Sequence, residues 1–160
     1  MLSDESLMRA AIHKAAEGIR AGQLPFGACI AKDHEIISCA YNTILKEINT
    51  TAHAEINAIH EACSALQTID LSGCVLFCTC KPCPMCLGAC GLANISRVVY
   101  GARIEDANLE GFTVLKTPDT IIHMILDGKT EVTGDFLRYE CLEVFKLWGC
   151  RNKKQYFSAP

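Results

Sequence analysis

The sequence has no long apolar run, no excess of basic charge, no internal repeat and no low-complexity linker. Each absence excludes a class of protein. A bilayer-spanning helix needs roughly 18 or more apolar residues in a row, and nothing in the 160 residues approaches that. The opening stretch, MLSDESLMRA, has neither the basic start nor the apolar core of a secretory signal, so we expect a cytoplasmic protein with no membrane partner. Fifteen basic side chains against eighteen acidic ones leave a net charge of -3. Proteins that live on nucleic-acid phosphates show a basic face, so nucleic acid is not an expected partner. The one tight basic cluster, Arg151 with Lys153 and Lys154, reads as a solvated C-terminal face.

What is present suits one compact domain over residues 1–160, half of them apolar and 21% charged. Eleven cysteines are many for this length, and five of them fall within residues 78–90. In a reducing compartment such a cluster points to metal or catalysis rather than disulfides. The scattered Cys29, Cys39, Cys63 and Cys141 read instead as small buried hydrophobes.

Periodicity divides the chain into alternating helices and strands. Residues 3–21 read as a helix capped by Ser3 or Asp4 and ended by Gly22. The stretches 26–32 and 35–41 read as a hairpin, and a loop runs from Asn42 to about Thr51. A helix over 53–65, with Thr51 as its cap, precedes a buried strand over 74–80. Pro84 suits the first turn of a helix that runs to about Ala93. A strand follows at 97–102, then helical pieces near 105–111 and 119–127, a short segment over 130–134 and a last helix over about 136–148. We expect an α/β protein with three α-β-α layers. Its central mixed five-stranded sheet has an antiparallel hairpin and parallel later strands, with helices on both faces.

Two short motifs carry the chemistry. Cys83-Pro-Met-Cys86 stands where a strand hands over to a helix, and helical residues three apart share a face. A helix N-terminus favours thiolates, the metal-binding form. His53 also lies at a helix start, so two such starts at one sheet edge can bring the three side chains together. Two thiolates and an imidazole suit zinc and leave a fourth position open. Glu55 lies two residues after His53, and residues two apart on a helix diverge. The pair converges only if His53 sits at the very end of the helix. From the residues alone three readings stay open. One is an open catalytic zinc site. Another is a closed structural site with a fourth ligand from Cys78, Cys80 or Cys90, in a non-catalytic module. The third is a redox pair or iron–sulfur cluster.

The combination His53-Ala-Glu55 with Pro82-Cys83-Pro-Met-Cys86 resembles the recognised signature of the zinc-dependent cytidine deaminase superfamily. Pro25-Phe26-Gly27-Ala28, Asn42 and Val98-Val99-Tyr100-Gly101 extend the likeness over most of the chain. The resemblance implies one zinc ion per chain, held by His53, Cys83 and Cys86, with Glu55 as the acid and base. It further implies Asn42 hydrogen-bonded to the substrate ring, Phe26 packed against it and the Ala54 amide on its edge.

The short Cys-x-x-Cys spacing and the late helices resemble the guanine deaminase and tRNA adenosine deaminase branch. A nucleobase is therefore the expected small-molecule substrate, guanine first, with a tRNA adenosine or cytosine as alternatives. Trp148 and Asn152–Tyr156 resemble the guanine deaminase end, where the tail caps the partner's site in a swapped homodimer. Tyr156 is therefore a candidate substrate contact. Glu140 and Glu143 are candidates for a second carboxylate near the base, against an exposed helix face for each; Glu143 is the one carried forward. Two departures stand out. Lys81 takes the place of the family's acidic residue before Pro-Cys. Thr113-Val114 follows Gly111-Phe112 where guanine deaminases carry Asp-Asp.

Overall fold

In the computed structural model, which describes residues 1–156 and the side chains of 1–150, twelve elements follow one another. They are α1 (Asp4–Arg20), β1 (Gly27–Lys32), β2 (Glu35–Tyr41), α2 (Ile44–Glu47), α3 (Ala54–Leu66) and β3 (Cys74–Cys80), then α4 (Pro84–Leu92), β4 (Arg97–Ala102), α5 (Ile104–Leu109), α6 (Asp119–Leu126), β5 (Glu131–Thr133) and α7 (Arg138–Tyr156). The strand order is β2-β1-β3-β4-β5. β1 is antiparallel to both β2 and β3, whereas β3, β4 and β5 run parallel. The expected mixed five-stranded sheet is therefore present. The Arg151, Lys153 and Lys154 cluster and the tail expectation that includes Tyr156 lie outside the residues whose side chains are described.

Alternation along the strands separates two cores, as a period of two requires. Cys29, Ala31, Phe77 and Val99 face one side, where Leu7, Met8 and Ala11 of α1 meet Val144, Phe145 and Trp148 of α7. Ala28, Ile30, Leu76 and Val98 face the other, against Ala54 and Ala58 of α3 and Leu87 of α4. Helices thus cover both faces. Gly27 is what lets α1 lie on the sheet: a Cβ there would meet the Ala11 carbonyl oxygen at 2.1 Å and the Ala15 amide at 2.6 Å. Cys29 and Cys141 are fully buried, as a small-hydrophobe role demands, whereas Cys39 and Cys63 are half-buried. No helix among the described residues is long and apolar enough to cross a membrane.

Three local expectations are corrected. The cap of α3 is His53, not Thr51; the Thr51 hydroxyl turns back to donate to Asn49 at 2.8 Å. The loop after Asn42 contains the single-turn helix α2, none of whose residues is buried. The last helix begins two residues later than expected and runs on to Tyr156.

Candidate active site

The two helix starts are built alike. His53 is the N-cap of α3 with φ −69° and ψ 156°, and Cys83 is the N-cap of α4 with φ −70° and ψ 167°. Both are extended residues standing just before a helix, and neither side chain caps its own helix. Pro84 at the first helical position fixes the turn after Cys83. Cys86 is then the third helical residue of α4 and Glu55 the second of α3. Because His53 lies off the end of its helix, its ring and the Glu55 carboxyl can face the same cavity, as the spacing required.

The three donor atoms lie close together. His53 Nδ1 is 3.5 Å from Cys86 Sγ and 3.8 Å from Cys83 Sγ, and the two sulfurs are 3.6 Å apart. A tetrahedral zinc with ordinary bond lengths would set nitrogen and sulfur about 3.6 Å apart and two sulfurs about 3.8 Å apart. The observed edges match one face of that tetrahedron, and the donor set of one imidazole and two thiols fits the ion. Among the described residues these three form the one group so arranged. The other cysteines of the cluster do not join them. Cys78 Sγ lies 3.6 Å from the Val99 carbonyl and Cys80 Sγ 3.7 Å from that of Arg103. Burial pushes both thiols up, and Cys90 too. A closed four-ligand site is therefore not what the fold assembles.

Electrostatics divide the pair of thiols. The hydrogen bond with Cys86, and behind it the one with His53, holds Cys83 down to about 4 against the cost of burial. The same bond and burial push Cys86 up. His53 is raised, first by its bond to Cys83. Glu55, 8% exposed, is raised by burial, which His53 opposes. Two helix N-termini aim their partial positive charge at this spot, which favours thiolates and incoming anionic oxygen.

A cavity of about 590 Å³ opens over the group. His53, Glu55, Cys80 and Cys83 form its floor. Leu24, Phe26 and Ile44 make an apolar wall, and Asn42, 3% exposed, supplies a buried amide whose Oδ1 accepts from the Ile44 N–H at 3.2 Å. The rim is Gly111–Leu115, with Lys81 and Met85 beside it. The Ala54 side chain is buried beneath the floor, and its amide, first in α3, is one of those with no partner inside the helix.

Glu143 is not brought here. It is exposed and pairs with Lys146 at 2.6 Å, while Glu140 pairs with Arg9 at 2.9 Å. Both make the surface contacts of an exposed helix face. The sequence reading did not name Leu24, Ile44, Thr50, Thr51, Met85 or Leu115 as pocket residues. Apart from Met85, in the first turn of α4, they come from loops and a one-turn helix, where no period marks a buried face.

The rim segment between α5 and α6 has no regular structure, yet two of its side chains are buried, Phe112 and Thr117. Phe112 packs edge-on against Phe26 at 5.3 Å and at a tilt against Trp148 at 4.7 Å and Phe145 at 5.8 Å (centroid distances). The Thr117 hydroxyl donates to the Pro82 carbonyl at 3.0 Å. Just beyond the rim, Lys81 pairs with Asp119 at 3.3 Å and lies 5.8 Å from the Tyr100 ring centre.

A buried imidazole and two thiols with zinc spacing, beside a buried carboxyl in an apolar cavity, have the makings of a metal-assisted hydrolase centre. Comparison with known proteins identifies the class. Residues 1–102 match the model of the cytidine and deoxycytidylate deaminase zinc-binding region, and the chain belongs to that family of zinc-dependent hydrolytic deaminases. It is 38% identical to the guanine deaminase of Bacillus subtilis (strain 168) over 161 residues, which cover 97% of this chain and all of that one. It is 43% identical over 145 residues to the tRNA-specific adenosine deaminase of the same organism, covering 88% and 85%. The solved structure of a guanine deaminase from Nitrosomonas europaea superposes with a TM-score of 0.85 at 25% identity, over 94% of this chain and 86% of that one.

Proposed function

We propose that the protein hydrolyses the exocyclic amine of a free purine base, converting guanine to xanthine with release of ammonia. The observation that carries this reading is the placement of Glu55 beside the zinc-spaced triad at the floor of one mostly apolar cavity. In this reading His53, Cys83 and Cys86 hold one zinc ion, and zinc in such a site makes water acidic near pH ~7. Glu55 takes one proton from the attacking water and gives it to the ring nitrogen, then takes the second from the new hydroxyl and gives it to the amine, which leaves as ammonia as the C–N bond breaks. Burial suits that task, because it raises the affinity of Glu55 for a proton. Asn42 hydrogen-bonds the ring, Phe26 packs on its face, and the Ala54 amide meets a carbonyl on its edge. The apolar wall excludes bulk water from the reacting carbon.

The test is ammonia release by zinc-loaded protein from guanine, cytosine, adenine, their nucleosides and a tRNA anticodon stem-loop. Guanine alone among the bases should be turned over. Turnover of the stem-loop instead would favour the tRNA reading, which the 43% likeness supports and the acidic balance opposes. The cytoplasm as location is supported by eleven free cysteines, which suit a reducing compartment. A single compact domain and a homodimer complete the proposal, the dimer resting on the likeness of the tail residues to guanine deaminases. A concentration-independent monomer in sedimentation would remove the dimer.

A further inference from the structure

We infer that Thr117 is a positioning residue that locks the pocket rim to the turn bearing Cys83, so that substrate affinity and metal retention share one hydrogen bond. This rests on the deaminase reading above, but half of its test needs no substrate.

The segment that supplies the rim, Gly111–Leu115, runs on to Pro118 without helix or strand. Such a segment keeps one conformation only where side chains tie it down. Phe112 ties its first half to the aromatic cluster. The second half has one buried side chain, and it is polar: Thr117, 4% exposed. Two carbonyls are within reach, Pro82 at 3.0 Å and Leu115 at 3.4 Å. A hydroxyl has one proton to give, and the nearer carbonyl receives it. Valine has almost the same shape and would suit an apolar socket better. The hydroxyl therefore matters for the bond it makes.

The acceptor is what gives the bond its consequence. Pro82 immediately precedes Cys83, so its carbonyl belongs to the peptide whose nitrogen is that of Cys83. Orienting this carbonyl orients the Cys83 peptide plane, and with it the N-cap dihedrals that aim Cys83 Sγ at His53 and Cys86. The other side of the turn is already fixed, because the Lys81 amide donates to the Ala102 carbonyl at 2.8 Å. Thr117 supplies the second fixed point, and it comes from the chain that lines the pocket. The ion pair of Lys81 with Asp119 spans the same gap, but the Asp119 side chain is 87% exposed. Exposed pairs contribute little, so the hydroxyl is the tie that counts.

The experiment uses the full zinc-loaded chain with Thr117→Val, Thr117→Ser and Asp119→Asn. It reads two quantities: the rate of zinc release to excess chelator, and KM against kcat for guanine. Thr117→Val leaves a buried carbonyl unpaired. We expect about tenfold faster zinc release and about tenfold higher KM, the factor that 1.4 kcal/mol represents. kcat should change less than threefold. Thr117→Ser should restore both quantities, and Asp119→Asn should stay within twofold of the parent in both. A merely structural role would lower the melting temperature of Thr117→Val while zinc release and KM held at parent values, and that result would overturn the inference. Raised KM with parental zinc release would overturn it too, because rim and ligand turn would then move independently. If Thr117→Val does not fold, Thr117→Ala serves the same comparison. If the parent protein turns over no guanine, the functional reading fails, and the zinc-release arm still decides the tie between Thr117 and the Cys83 turn.

Discussion

Replacing Phe112 by alanine separates two views of the rim. By secondary structure it is a surface loop, and a surface substitution changes stability by less than about 0.5 kcal/mol. By packing, Phe112 is a core residue, 6% exposed and touching Phe26, Phe145 and Trp148. Truncating a buried phenylalanine costs about 3–5 kcal/mol, through lost transfer energy and the cavity left behind. In a chain of this size each kcal/mol moves the melting temperature by roughly 2–4 °C. The expected fall is therefore about 6–20 °C, with a matching drop in the urea midpoint and an unchanged m-value. Phe112→Leu fills much of the space and should lose about 1–1.5 kcal/mol. Because Phe26 loses one of its two edge-to-face partners, KM should rise in the same variant. A loss below about 1 kcal/mol for Phe112→Ala would mean that the aromatic cluster does not anchor the rim, and the account of how this segment holds its shape would fall with it.

Other perturbations probe the site and the scaffold. Glu55→Gln should keep zinc while turnover falls by about 10²–10⁴, the usual share of a general acid and base; parental turnover in the amide variant would remove Glu55 from the chemistry. Cys83→Ser or His53→Ala should lose metal and activity together, since among the described residues no fourth protein ligand stands by; full zinc occupancy by metal analysis in either would contradict the three-ligand site. The Asp106 carboxyl accepts from Arg138 at 2.6 and 2.9 Å, and that bond holds it below the usual carboxylate range. Its contribution is therefore present above the unfolded pKa of about 3.9 and is lost as pH falls through the lower folded value. Arg138→Met should flatten the acid limb of the stability profile; an unchanged limb in urea melts between pH 5 and pH 2 would refute it.

Much of this was legible in the residues because regular structure has a period. The helical spacing of Leu7, Ala11, Ala15 and Ile19 marked α1, and the short apolar runs in Cys74–Cys80 and Arg97–Ala102 marked the buried strands β3 and β4. His53, Cys83 and Cys86 were legible because metal ligation restricts both residue type and spacing. The rest of the site was not. Leu24, Ile44 and Gly111–Leu115 reach the cavity from irregular chain, where burial follows from contacts distant in sequence. Thr51 looked like a cap because its residue type suits that role. His53 holds the position instead, and its ring is turned to the cavity rather than to its own helix. Glu143 misled for a related reason: a carboxylate on a long helix has no period that says which neighbour it faces, and Lys146 lies one turn away.

The two uncapped helix starts have a consequence for how the apoprotein behaves. A good N-cap contributes about 0.5–2 kcal/mol to its helix, and both α3 and α4 begin without that bond. An ion held by His53 and Cys83 would accept no bond from the free N–H groups, but it would pin the residues that start both helices to one point. It would also tie together points 30 residues apart, closing α3, β3 and the loops between them into a ring. Metal loading would then help to order the segment from α3 to the start of α4. The chelated chain should show its earliest loss of hydrogen-exchange protection in the first turns of α3 and α4, while the hairpin of β1 and β2 stays protected.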